Sequence, residues 1–189
     1  GQDTHALSQP ALVTVLEVLA GNGVVAMVDA DMDFVPTPSV SRAIIRYNES
    51  HFDKADGIVI TPSHNPPDNG GIKYNATNGG PADTLITKWI ETHANEYVRA
   101  YCELEGLKRI SIDNIEPDQQ VPYDYKGLYV EELSSIINME ALQSAKPKVL
   151  VNALGGSGLG YWRAIKERYN LNMDIINDEY DPTFSFMTY

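Results

Sequence analysis

Short β-branched runs recur along this chain, each separated from the next by a segment of helical periodicity, and this alternation restricts the fold more than any other feature. Val24–Val28, Gly57–Ile60, Arg109–Ile112, Val149–Val151 and Met173–Ile176 read as short strands. Leu12, Val15, Leu16 and Leu19 follow Ser8-Gln9-Pro10 at helical spacing, and Gly21-Asn22-Gly23 stops that helix. Val40, Ala43, Ile44 and Tyr47 share a face after the helix start Thr37-Pro38. A longer helix opens at Asp83 or Thr84, with Ile86, Ile90, Ala94, Tyr97 and Tyr101 inward. Further helices are predicted over Tyr125–Ile137 and Tyr161–Tyr169. Strands alternating with helices place the chain in the α/β class. The polar segment 113–122, broken by Pro117 and Pro122, sets a domain boundary, giving units 1–122 and 123–189.

Composition removes several functions. The 189 residues carry 14 Lys+Arg against 26 Asp+Glu, a formal charge of −12, which opposes a phosphate-backbone binder. A lone cysteine, Cys102, makes neither an internal disulfide nor a cysteine-based metal site. No apolar run approaches the ~20 residues of a membrane helix. A soluble cytoplasmic protein is expected. The chain opens at Gly1 without a loose tail and runs apolar and aromatic from Phe184 to Tyr189, so an excerpt of a longer polypeptide is expected as well.

Three segments compete for the chemistry. Gly156-Ser157-Gly158-Leu159-Gly160 could offer turn amides to a phosphate, but its third glycine arrives a residue too early for the dinucleotide fingerprint; it reads as a tight strand-to-helix turn. Asp29-Ala30-Asp31-Met32-Asp33 follows a strand in the manner of haloacid-dehalogenase-type phosphotransferases, with Asp33 out of place for that pattern; a solvated acidic turn fits it better. The third segment, Thr61-Pro62-Ser63-His64-Asn65-Pro66-Pro67-Asp68-Asn69-Gly70-Gly71-Ile72-Lys73, carries the most information. Long Pro/Gly/Asn-rich stretches inside a compact domain are unusual unless functional. The prolines stiffen the loop, and Gly70 and Gly71 permit positive φ. Ser63 becomes a fixed, exposed hydroxyl at a strand end, with donors in His64 and Asn65 and a cation in Lys73.

Thr61-Pro62-Ser63-His64-Asn65-Pro66 with Gly70-Gly71-Ile72-Lys73 resembles the active-site serine loop of the α-D-phosphohexomutases, most strongly their bacterial glucose-specific branch. The likeness extends to Asp3-Thr4-His5, Pro36-Thr37-Pro38, Asn78 to Thr84, Leu154 to Gly158, Tyr161-Trp162 and Phe184 to Met187. The resemblance implies reversible interconversion of glucose 1-phosphate and glucose 6-phosphate through a phosphoserine and glucose 1,6-bisphosphate. Ser63 would be the phosphoserine, with one phosphate oxygen on Mg²⁺. Lys73 would be the general acid/base for the sugar hydroxyl, simple charge stabilisation being its rival role. His64 and Asn65 would support the phosphate by hydrogen bonding. Hexose phosphate is the implied partner, and neither nucleic acid nor membrane is expected.

The family has four domains, and several of its parts are not found in this sequence: the N-terminal active-site arginine, the Asp-rich metal loop, the Gly-Glu-Glu sugar loop and the C-terminal phosphate loop. The resemblance therefore implies most of a first domain, α/β with a mixed sheet and helices on both faces, and the start of a truncated second of similar type. Such a piece is expected to be inactive alone and prone to self-association through uncovered apolar surface. Phosphomannomutase and phosphoglucosamine mutase activities stay open, since the sugar loop decides between them. So does a non-catalytic sugar-phosphate-binding or regulatory module.

Overall fold

The computed structural model describes residues 1–100 and 107–187. Tyr101 and Cys102, and Thr188 and Tyr189 of the apolar ending, lie outside the described residues. In the first half, helix α1 (Ser8–Gly21) leads into strand β1 (Ala26–Asp29), α2 (Thr37–Ser50), β2 (Gly57–Ile60), β3 (Ile72–Asn75) and α3 (Thr84–Ala100). Then come β4 (Gln120–Tyr123), α4 (Tyr125–Glu132), α5 (Met139–Ala145), β5 (Val149–Asn152), α6 (Leu159–Tyr169) and β6 (Met173–Ile176).

Neighbouring side chains on β2 face opposite ways, and this organises the first core. Val59 packs with Val35, Val40, Ala43, Ile44 and Tyr125, while Ile60 packs with Leu12 and Leu16. Helices α1 and α2 thus cover opposite faces of β2. Beside β2, Gln2 forms a parallel bridge to Ile60, and β3 pairs with β2 antiparallel, Val59 standing opposite Lys73. Strands β1 and β4 run parallel, as do β5 and β6. A separate core of Val130, Leu133, Met139, Val151, Tyr161, Ile165, Tyr169 and Met173 holds the second half together. An open cavity of about 300 Å³ is lined by Leu12, Val28, Val40, Ile44 and Ile58. Its lining also includes Asp53 to Gly57, at and before the amino end of β2, and not Ser63.

Several expectations are corrected. The first strand lies two residues later than Val24, because Val24 and Val25 remain exposed beyond the Gly23 turn. No strand forms at Arg109–Ile112: Ile110 N donates to Glu17 O and Ile112 N to Glu17 Oε1, so this segment docks on the end of α1 instead. The polar stretch 113–122 is not loop throughout. It ends in β4, whose register pairs Gln120 with Ala26 and Pro122 with Val28. The helix from Tyr125 stops at Glu132, and a turn of 3₁₀ helix, Leu133–Ser135, follows. Helix α5 was not anticipated; Asn138 caps it by accepting from Ala141 N. The stripe Ile86, Ile90, Ala94 and Tyr97 is not inward. Asp83 caps α3 as its position suggests, but no described residue of α3 is buried.

Candidate active site

The serine loop is the turn of the β2–β3 hairpin, residues 61–71, so Ser63 and Lys73 leave and re-enter the same pair of strands. Antiparallel pairing returns the chain at a fixed register, and Lys73 Nζ reaches Ser63 Oγ at 2.6 Å. Both side chains are exposed. The sequence placed these residues ten apart; the hairpin puts them in hydrogen-bond contact.

Positive φ occurs in the loop, but not where the glycines suggested it. Ser63 itself has φ 64°, while Gly70 and Gly71 are not left-handed. Gly71 serves close approach instead. A Cβ there would stand 2.5 Å from Thr61 O, on which side the hairpin closes through Thr61 N donating to Gly71 O at 2.9 Å. At Ser63 a non-glycine residue is held in a sparsely populated backbone state, a feature concentrated at functional sites.

What holds it there lies underneath. Ser63 N donates to Thr61 Oγ1 (2.9 Å), and Thr61 Oγ1 donates to Asp3 Oδ2 (2.6 Å). Asp3 also accepts from Ser8 Oγ, His5 N and His5 Nδ1. His5 Nε2 lies 3.0 Å from the Asn65 carbonyl. Asp3, His5, Ser8 and Thr61 are all buried. None was given a role from sequence, although the family-like Asp3-Thr4-His5 at the head of α1 was the available signal. Among the described residues, the side chains of His64 and Asn65 make no hydrogen bond; Asn65 contributes its backbone only.

The competing segments are structural. Asp29 Oδ1 accepts from Asp31 N and Asp33 N, and Asp33 pairs with Lys126, which makes an acidic turn tied to α4. Gly155–Gly160 turns tightly from β5 into α6, with Gly156 N donating to Ala153 O and Gly155 at φ 69°. Among the described residues no group of three or more His, Cys, Asp or Glu gathers to hold a metal. Ser63, His64, Asn65 and Lys73 include no carboxylate, so they do not by themselves fit a Mg²⁺ site, which favours several oxygen ligands.

Residues 1–100 match the family described as phosphoglucomutase/phosphomannomutase, α/β/α domain I. The chain belongs to the phosphoglucomutase/phosphomannomutase family. It is 46% identical over its whole length to a phosphoglucomutase of Komagataeibacter xylinus, of which it covers 34%. Two solved structures share the fold at a TM-score of 0.75: a Thermus thermophilus protein described as a putative phosphomannomutase (24% identical) and the Paramecium phosphoprotein parafusin (20%). They are matched over 97% and 98% of this chain, and over 38% and 37% of their own. The chain thus spans about a third of the length of the curated family members it matches. No helix among the described residues is long and apolar enough to cross a membrane.

Proposed function

We propose that this chain is the phosphoryl-donor portion of a phosphoglucomutase that interconverts glucose 1-phosphate and glucose 6-phosphate. The observation that carries the reading is the 2.6 Å contact between Lys73 Nζ and Ser63 Oγ on a backbone-strained, exposed loop. In the forward half-reaction the bond from phosphorus to Ser63 Oγ breaks and a bond to a sugar hydroxyl oxygen forms. Lys73 delivers a proton to the departing Oγ and recovers one from the attacking hydroxyl, so Ser63 ends as a neutral hydroxyl. Rephosphorylation from the bisphosphate retraces these steps. His64 and Asn65, whose side chains are free to turn, are assigned to the phosphate oxygens. No step is assigned to a metal, because the residues present do not form its site.

Units 1–122 and 123–189 are read as most of the family's first domain and the beginning of its second. The separate core of Val130 to Met173 supports this division. The glucose assignment rests on the K. xylinus relative. The full-length enzyme provides the test, by a coupled glucose 6-phosphate assay and intact-mass measurement. Wild type should carry a phosphate that Ser63→Ala lacks, and Ser63→Ala should not turn over. A Ser63→Ala enzyme with normal turnover would overturn the reading.

A further inference from the structure

We propose that Asp3, His5 and Thr61 form a buried clamp that fixes the serine loop in its donor conformation, acting as positioning residues for phosphoryl transfer. This rests on Ser63 being the donor. The clamp grips the tripeptide Ser63-His64-Asn65 at both ends. At one end the Ser63 N–H bonds Thr61 Oγ1, whose own proton goes to Asp3. At the other, the Asn65 carbonyl faces His5 Nε2, whose Nδ1 lies 2.8 Å from the same Asp3 oxygen that Thr61 uses. One carboxylate therefore sets both ends of the segment that presents Ser63 Oγ.

The chemistry of the donors makes this more than packing. Thr61 Oγ1 must accept and donate at once, which a hydroxyl does and a methyl cannot. Both ring nitrogens of His5 face oxygens, Nδ1 the Asp3 carboxylate and Nε2 the Asn65 carbonyl. Ser8 Oγ and the His5 backbone N–H fill the other Asp3 oxygen, so the carboxylate cannot swing away. A serine at φ 64° persists only if its surroundings over-determine it, and this network supplies the restraint. His5 and its neighbour Thr4 also meet the later part of the chain. His5 stacks edge-on against Phe184 with ring centres 4.9 Å apart, and Thr4 Oγ1 donates to Gly155 O at 2.7 Å. The loop is thereby registered against both halves of the structure.

The test compares Thr61→Val, Thr61→Ser and Asp3→Asn in the full-length enzyme. Three readouts are needed: steady-state kinetics, hydrogen exchange of the 61–66 amides against those of 57–60, and Ser63 phosphate by intact mass. In Thr61→Val, kcat should fall by up to about 100-fold, as expected when a reacting group is misplaced. KM should change little, and the loop amides should exchange faster while β2 stays protected. Thr61→Ser should restore both, and Asp3→Asn should resemble Thr61→Val. Thr61→Val with normal kcat and normal loop exchange would overturn the clamp, as would Thr61→Ser as impaired as Thr61→Val. Should Thr61→Val fail to fold, Thr61→Ser and Asp3→Asn decide: normal kcat and loop exchange in Asp3→Asn overturns the clamp. Turnover by a wild type carrying no phosphate on Ser63 would refute the donor reading and with it the positioning role; loop exchange would still report whether Thr61 restrains the backbone.

Discussion

Ser63 occupies the left-handed region at a cost of about 1–2 kcal/mol relative to ordinary backbone, and Lys73 Nζ sits against its hydroxyl. That pairing makes the role of Lys73 separable from its charge. Lys73→Ala should lower kcat about 10²–10⁴-fold with a smaller change in KM, the range of a lost general acid/base. Lys73→Arg keeps the cation but does not release its proton at working pH, so it should stay slow. Recovery in Lys73→Arg would mean that charge alone matters, and a change confined to KM would make Lys73 a phosphate grip. The pairing of Ser63 with Lys73 could be anticipated from sequence, because a stiff loop sets one exposed hydroxyl near a lysine that returns at its far side. Asp3, His5 and Thr61 were not assigned. Their meaning depends on residues 58 or more positions apart meeting beneath the loop, and local spacing carries no trace of that.

Elements with capping or stop signals could be read from sequence, and elements defined by distant partners could not. Helices α1 and α2 and strand β2 sit where apolar spacing put them, whereas Arg109–Ile112 lost its strand to the Glu17 carboxylate and backbone. Hydrogen bonds from Ile112 N and Arg109 hold the Glu17 carboxyl below its ordinary range. Helices α2 and α4 are joined by Arg42 and Arg46 on Glu132, and the Arg42 hydrogen bonds lower the Glu132 carboxyl likewise. A lowered carboxyl stabilises the fold above its ordinary value of 4.5 and ceases to do so as pH falls through the folded value. Glu132→Gln should therefore cost about 1 kcal/mol at neutral pH and flatten the acid limb of stability, measured by urea titration from pH 7 to pH 3. An unchanged acid limb would remove Glu132 from the account. In the hairpin, Gly71→Ala should destabilise by about 1–3 kcal/mol, since its methyl meets the Thr61 carbonyl, which cannot retreat without opening the turn. A shift in the urea midpoint would measure it; no shift would mean that the loop relaxes freely.

At the scale of the whole molecule, the α/β class followed from alternation, but the uncovered side of α3 did not. Its inward stripe was inferred from periodicity, which gives the face and not whether anything covers it. Leu85, Trp89 and Val98 are more than half exposed. Such surface favours association, while a charge of −12 opposes it until salt screens the repulsion. Purified 189-residue protein should accordingly scatter more light as salt is raised, and a strict monomer across that range would count against the apolar face. The same preparation should show no mutase turnover, because Ser63, His64, Asn65 and Lys73 alone do not supply the positioning and charge neutralisation that a transferring phosphoryl group needs. Turnover near that of a complete enzyme would overturn this. The parallel pairing of Ala26 with Gln120 also bears on how the chain is made. On the ribosome β1 emerges well before β4, since its partner Gln120 lies 94 residues later than Ala26. Synthesis of the intervening residues at ~5–20 residues per second takes several seconds, during which β1 has no β4 to pair with. The β2–β3 hairpin needs no such wait: its two strands leave the tunnel close together, before β1 and β4 can pair.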